Sequence, residues 1–137
     1  MALPVDEQDW LAAWNGPRAA PIIAIAHPQI EIHAVTLGIE GRHYTGHDGL
    51  RQWMRDIRER FGARSQAEQI EPLADDALLI LGRVFIEDGY GGQEEQRFVM
   101  LVHLDDGKAR WIGTFFSAAD AKAAYESGVT GPAPGNF

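Results

Sequence analysis

Apolar residues recur at helical spacing in the middle of the chain and predict one long amphipathic helix. Thr45 and Asp48 have the spacing of a capping box at its start, and Gly62 supplies its stop. Intervals of three and four positions place five apolar residues on one face of this helix: Leu50, Trp53, Met54, Ile57 and Phe61.

Shorter helices are predicted near both ends of the chain. An aspartate or serine that can accept hydrogen bonds from the first free amides precedes the first and last of them, and glycine or proline follows each. The predicted segments are residues 7–14, 18–26 and 117–128.

Strand patterns occupy most of the remaining chain. Apolar and polar residues alternate over 30–33, which predicts a first strand. Beyond Gly62, apolar runs are divided by short turn sequences, and short links of this kind predict an antiparallel meander. The runs are residues 66–73, 77–87, 96–104 and 109–116.

The meander is apolar on both faces, whereas antiparallel sheets usually keep one face wet. In one strand, Leu79 and Leu81 would face one side while Leu78 and Ile80 face the other. The predicted helices are sufficient in number to cover one face of this sheet but not both. We therefore expect a second copy to cover the other, in a homodimer packed through its sheets. The alternative is a closed barrel.

Composition is that of one ordinary globular domain. The chain has 137 residues, of which 45% are apolar and 23% charged. A chain of this length can build one hydrophobic core without metal or disulfide support. We expect a single domain over residues 1–128 and a flexible tail, rich in proline and glycine, over residues 129–137.

Charge and cysteine content exclude several classes of function. Twelve Lys and Arg against twenty Asp and Glu leave a net charge of −8. A surface of that sign repels nucleic acids and anionic membranes, so neither is an expected partner. Without Cys, thiolate nucleophiles and cysteine-ligated metals are excluded. The start lacks a signal-peptide pattern and no run is long enough to span a membrane, so we expect a cytoplasmic protein.

Several motifs follow one another in an informative order: Trp10-Leu-Ala-Ala-Trp14-Asn-Gly16, Ala26-His27-Pro28-Gln-Ile-Glu-Ile-His33, Tyr44-Thr-Gly46-His-Asp-Gly-Leu50, Leu104-Asp-Asp-Gly107-Lys108 and Phe115-Phe116-Ser-Ala-Ala-Asp120-Ala. Their order and spacing resemble SnoaL-like members of the nuclear-transport-factor-2-like (NTF2-like), or ketosteroid isomerase-like, superfamily. The resemblance spans about residues 6–128.

That resemblance implies an α+β fold of the cystatin-like roll type. In it, a cone-shaped, strongly curved antiparallel sheet wraps around the N-terminal helices and leaves an internal pocket. The pocket usually takes a small, mostly apolar molecule. Fold transfers more readily than function, so the reaction needs its own evidence.

The resemblance also argues against two known mechanisms of this fold. Ketosteroid isomerase uses a tyrosine on the first helix, an aspartate base on the first strand and a protonated aspartic acid on a later strand. These positions align with Trp10, with about His33 and with the apolar run 98–100. The Asp-Arg-Asp arrangement of limonene epoxide hydrolase would need aspartates beside Arg83 or Arg97, and no strand interior offers them.

Three residues are candidate catalytic groups. His33 lies on the first strand, and an imidazole is suited to proton transfer near neutral pH; alternatively it is a partly exposed strand residue on the face of Glu31. Arg83 lies in an apolar strand and needs a carboxylate partner. A structural bridge, for example to Glu68, is favoured over a ligand oxygen. Tyr44 could point its hydroxyl into the mouth of the pocket or pack on the helix that follows.

No metal or other cofactor is expected. His43 and His47 are four residues apart, but the predicted helix start between them spoils a shared ligand geometry. Large aromatic residues are first of all core, and some should line the pocket, which favours a flat or cyclic apolar ligand. The candidate pocket residues are Trp10, Trp14, Trp53, Phe85, Trp111 and Phe115.

The sequence therefore favours a protein that binds a small apolar or cyclic organic molecule. If it is an enzyme, it would isomerise, cyclise, dehydrate or hydrolyse a ring compound by cofactor-free acid/base chemistry. In that hypothesis His33 moves the proton and Arg83 or Tyr44 stabilises the developing oxyanion. The alternative is a non-catalytic ligand-binding or dimeric assembly module of the same fold.

Overall fold

The computed structural model describes residues 2–16, 18–34, 42–61, 65–87, 89–128 and 130–131. Four helices and six strands occupy these residues, and the fold class is α+β as predicted. In chain order they are α1 (Glu7–Asn15), α2 (Ala20–Ala24), β1 (Ala26–Ala34), β2 (Arg42–Thr45), α3 (Gly46–Phe61), β3 (Ser65–Ala74), β4 (Ala77–Glu87), β5 (Gln93–Asp105), β6 (Lys108–Phe115) and α4 (Ala118–Glu126).

The strands form one curved, unclosed sheet in the order β2-β1-β6-β5-β4-β3. The predicted meander from β3 to β6 is confirmed, because each of these strands pairs antiparallel with the next. β1 extends the sheet beyond the meander, because it pairs parallel with β6 on one side and antiparallel with β2 on the other. β2 and β3 are free edges within the described chain, so the alternative of a closed barrel is wrong.

Helix boundaries follow the capping residues that the sequence indicates. Asp6 accepts a hydrogen bond from the amide of Asp9, and Ser117 accepts one from the amide of Asp120. Each side chain satisfies an amide that the first helical turn leaves free. The long helix α3 begins at Gly46, directly after the predicted capping threonine. The sequence pattern does not predict β2, which is only four residues long.

The sheet separates two apolar clusters. On the inner face, strand residues such as Ile32, Ile80 and Ile112 pack with α1, α2 and α3. On the outer face, Leu79, Leu101 and Trp111 pack with Ala121 of α4. Strand residues alternate between the faces, so a position's parity along its strand decides which cluster it joins.

The placement of α4 corrects the argument for a dimer. We expected the helices to cover one side only, so that a partner subunit had to cover the other. Instead, Leu79 and Leu101 on the outer face are already fully buried by the chain itself. The strands are apolar on both faces because helices lie on both.

Of the tail predicted to be flexible, residues 130 and 131 belong to the described chain, and the rest of 129–137 lies outside it. The Thr130 hydroxyl lies 2.9 Å from Nε2 of His103. Gly131 also lies against the ring of that histidine.

Candidate functional site

A phenol and a carboxylate meet on the inner side of the sheet. Tyr44 lies opposite Ile32 in the β1–β2 pairing, so its ring turns toward the inner cluster, where it is only 4% exposed. Its hydroxyl donates to Oδ2 of Asp56 on α3, at 2.5 Å. The side-chain amide of Gln52, one helical turn earlier, donates to Oδ1 of the same carboxylate at 2.7 Å.

This arrangement is suited to proton transfer. A carboxylate can accept a proton and a phenol can donate a hydrogen bond to an oxygen that gains charge. Tyr44 was a candidate from the sequence, whereas Asp56 was missed. The signal was available, because Asp56 follows Trp53 by three positions on the helix and therefore lies close to its buried face.

Two indole rings are in contact on the inner side of the sheet, the side on which Tyr44 and Asp56 also lie. Trp14 of α1 and Trp53 of α3 pack edge to face, with ring centroids 6.2 Å apart. Both belong to the inner cluster or pack directly against it. Their Nε1 atoms are buried and have no hydrogen-bond partner among the described residues.

The side chain of Asn15 fixes the end of α1 next to Trp14. Its amide nitrogen donates to the carbonyl oxygen of Ala67 on β3 at 2.8 Å, and its oxygen accepts from the amide of the same residue at 2.7 Å. Asn15 thus pairs with the edge strand as a neighbouring backbone would. These two hydrogen bonds attach the end of α1 that carries Trp14 to the sheet.

The six predicted pocket residues divide between the two faces of the sheet, so at most three of them can share the inner side, where the pocket is expected. Trp10, Trp14 and Trp53 lie on the inner side. Trp111 and Phe115 belong to the outer cluster, and Phe85 has the same strand parity as Leu79 and Leu81. The reason is the period of two along a strand, which sends these positions away from the helices α1 to α3.

His33 likewise lies on the outer face. It stands opposite His43 in the β1–β2 pairing, and their Nε2 atoms are 3.1 Å apart. The indole of Trp111 lies beside it, with centroids 5.0 Å apart, and occupies the space above Gly113, where a Cβ would come within 2.4 Å of the ring. Burial, and then the nearby His43, lower the pKa of His33, against an opposing effect of Glu31.

The aromatic contacts continue across the outer face to α4. The ring of His103 packs against Trp111 on one side and Tyr125 on the other. Burial lowers the pKa of His103, with Asp76 acting in the opposite direction. This row of rings covers part of the outer face, which the sequence pattern predicts to be covered by a second copy of the chain.

Arg83 faces outward as well and is held by two carboxylates. Its Nε and Nη2 atoms donate to the two oxygens of Glu68, and Nη1 donates to Glu95 at 2.8 Å. These hydrogen bonds raise the pKa of Arg83. The Arg83 side chain is 34% exposed, and its guanidinium forms the protein bridge that was the favoured alternative. The catalytic hypothesis required His33, Arg83 and Tyr44 to share one site. His33 and Arg83 lie on the outer face of the sheet, whereas Tyr44 lies on the inner face.

The histidines at 43 and 47 have separate partners. His47 bonds the carbonyl oxygen of Ala26 through Nε2 at 3.1 Å, while His43 lies against His33. Within the described residues, no group of three or more His, Cys, Asp or Glu side chains is positioned to hold a metal ion. No helix in the described chain is long and apolar enough to cross a membrane.

Comparison with known proteins gives similarity at the level of fold. No family model matches the sequence, and no curated protein matches it. Among solved structures, TerC co-crystallised with polyporic acid is 20% identical with a TM-score of 0.64, over 87% of this chain and 96% of that one. A hypothetical protein with a ketosteroid isomerase-like fold, from Catenulispora acidiphila and in complex with trimethylamine, is 14% identical with a TM-score of 0.64, over 85% and 88% of the two chains.

A third solved structure, from a Jannaschia species, is described as a SnoaL-like polyketide cyclase. It is 14% identical with a TM-score of 0.60, and the match covers 82% of this chain and 82% of that one. At these identities the similarity concerns the fold. The three structures agree with the resemblance that the sequence motifs indicate.

Proposed function

We propose that this chain, which has the fold shared by NTF2-like, ketosteroid isomerase-like and SnoaL-like proteins, binds a small apolar ring compound on the inner side of its sheet and acts on it by cofactor-free acid/base chemistry. The observation that carries the proposal is the hydrogen bond from Tyr44 to Asp56. It places an ionisable pair beside a cluster whose other buried side chains are mostly apolar. Solved structures of this fold with small molecules bound give further support.

Asp56, Tyr44 and Gln52 have different roles in the proposed reaction. Asp56 accepts a proton from a carbon of the substrate and returns one to another position. Tyr44 has one hydroxyl proton, which it donates to Asp56 while the carboxylate is charged. Once Asp56 has taken the proton from the substrate, Tyr44 donates its hydroxyl proton to the oxygen that gains charge, and Gln52 orients the carboxyl group. These roles suit an isomerisation, cyclisation, dehydration or hydrolysis. His33 and Arg83, which lie on the outer face, have no part in this mechanism.

One observation favours a second candidate, a non-catalytic ligand-binding module. Asp56 already receives hydrogen bonds from Tyr44 and Gln52. Because donors of the chain itself occupy both of its oxygens, the carboxylate is less free to meet a C–H group of a substrate. A module that only binds would retain the apolar surface without needing a free carboxylate.

An exchange experiment separates the two candidates. The protein is denatured and examined by mass spectrometry for a co-purified molecule, and 1-tetralone, a bicyclic ketone, serves as a defined probe. In D2O, a base that removes the C–H proton beside the carbonyl lets a solvent deuteron replace it, with no change of oxidation state. NMR spectroscopy measures this replacement.

We expect exchange above the buffer rate in the wild type. Asp56→Asn should lower it by roughly a hundredfold or more, and Tyr44→Phe by about tenfold. Tyr125→Phe removes the same hydroxyl on the outer face and should leave the rate unchanged. Binding of the ketone without exchange supports the module instead, and no binding contradicts both candidates.

The proposed partner for assembly is a second copy of this chain. α4 covers part of the outer face, and Leu81, Phe85 and Phe115 remain half-buried there. Phe116, beside Phe115, is 65% exposed. We propose that this remaining area supports a homodimer.

A further inference from the structure

Two buried hydrogen-bond donors have no acceptor in the described chain. They are the Nε1–H groups of Trp14 and Trp53, which lie on neighbouring helices with their rings in edge-to-face contact. Indole nitrogen only donates, so neither group can satisfy the other. Buried donors without a partner destabilise a fold, and native proteins contain few of them. Two in contacting side chains call for a shared explanation.

Both donors are held in place. Trp53 is 1% exposed and sits within the inner cluster. Trp14 is followed by Asn15, whose two hydrogen bonds to Ala67 tie this end of α1 to the sheet. A pair of donors that is fixed before a ligand arrives loses little entropy on binding, which is what a recognition site requires.

The surroundings select the kind of acceptor. Thr114 is the one polar side chain other than tyrosine and tryptophan that is fully buried in the described chain, so no buried Lys or Arg is present there to balance an anion. Asp56 lies one helical turn from Trp53 on α3, and the chain carries a net charge of −8. An anionic ligand would be repelled, whereas a neutral carbonyl oxygen can accept hydrogen bonds without that cost.

We infer that Trp14 and Trp53 form a subsite that binds a neutral carbonyl oxygen of the ring compound. The inference rests on the proposed function, and it narrows the ligand to ketones, lactones and similar carbonyl compounds. The two lone pairs of one neutral carbonyl oxygen match the two donors in number, and the third lone pair, which the oxygen gains when it becomes an enolate, is the one that Tyr44 meets. In this arrangement the indoles hold the oxygen and the apolar cluster holds the ring.

The experiment compares two probes that differ by one oxygen atom. 1-Tetralone carries the carbonyl group, and tetralin has the same two rings without it. The full chain is labelled with 15N in its indoles, and each of its four tryptophan signals is assigned with single Trp→Phe variants. We expect 1-tetralone to shift the Nε1–H signals of Trp14 and Trp53 downfield, and tetralin to leave them in place.

Binding affinities for the two probes give a second readout. The probes differ in hydrophobicity, and comparing their affinity ratio between the wild type and a variant removes that difference. The preference for 1-tetralone over tetralin is measured as a ratio of dissociation constants in the wild type and in each variant. Trp14→Phe and Trp53→Phe each keep an aromatic ring and remove the donor, and each should lower the preference about tenfold. Trp111→Phe is the matched control on the outer face and should not change the preference.

Folding of every variant is checked by its thermal unfolding, and Trp14→Phe, at the partly exposed position, serves if Trp53→Phe does not fold. An unchanged preference in the folded variant, or tight ketone binding with unmoved Trp14 and Trp53 signals, overturns the inference and leaves the proposed function standing. Binding of neither probe overturns both. A buried water molecule on the indoles is then the remaining acceptor.

Discussion

His33 and Tyr44 lie on neighbouring strands, and yet their side chains are on opposite faces of the sheet. Ile32 stands opposite Tyr44, and His33 stands opposite His43, so one step along the strand changes the face. On the inner face the hydroxyl of Tyr44 contacts Asp56. On the outer face the imidazole of His33 contacts Trp111 and the imidazole of His43. The chemistry open to each residue follows from this difference.

Acid should destabilise the fold through His33. Its pKa is lowered in the folded chain, first by burial and then by His43, from the ordinary value of 6.5. The unfolded chain therefore binds the proton at higher pH than the folded one, and stability is lost as the pH falls below 6.5. We expect urea unfolding at pH 7.5 and 5.5 to show a smaller loss of stability in His33→Gln than in the wild type.

His43→Gln is the companion variant. It removes the second cause and leaves the first, so its loss of stability should lie between those of the wild type and His33→Gln. Some loss should remain in both, because burial also lowers the pKa of His103. Equal losses in His33→Gln and the wild type would contradict this account of the pair.

At the scale of elements, the sequence predicts what periodicity encodes. The boundaries of α3 and β4 agree with it because their apolar spacing is regular over many residues. It could not assign α4 to a face, since the side that packs is mostly alanine and resembles the exposed side. It could not find β2 either, because four residues are too few for a period, and β2 is what turns Tyr44 inward.

Docking of α4 can be tested with two alanines of the same helix. Ala121 is fully buried against the outer cluster, whereas Ala123 is exposed. Ala121→Arg would force a long charged side chain between α4 and β5, and should cost about 1–3 kcal/mol of unfolding free energy. Ala123→Arg keeps the same change of propensity and charge, and should be close to neutral. Chemical denaturation measures both.

Exposure of the outer cluster is the second observable for these variants. Undocking of α4 would uncover Leu79, Leu101 and Trp111, so Ala121→Arg should increase the fluorescence of a dye that binds apolar surface. The emission of Trp111 should shift as well. A stable Ala121→Arg variant without dye binding would mean that α4 does not protect this face.

For the whole molecule, the distribution of apolar surface has to be weighed against charge. The chain buries an apolar cluster on each side of one sheet, and it therefore does not need a partner to complete a core. What remains on the outer face is a smaller patch at Leu81, Phe85 and Phe115, next to the ion-paired Arg83. A dimer through this patch would be limited by the repulsion between two chains that each carry a net charge of −8.

That repulsion makes the proposed dimer sensitive to salt. The Debye length is about 10 Å at 0.1 M and about 3 Å at 1 M ionic strength, so added salt screens the repulsion and strengthens apolar contacts. Sedimentation velocity at micromolar concentration should show more dimer in 0.5 M than in 0.05 M NaCl. Phe116→Ser, which removes an exposed ring next to Phe115 of the patch, should weaken association. A monomer at both salt concentrations would contradict the dimer and leave α4 as the sole cover of the outer face.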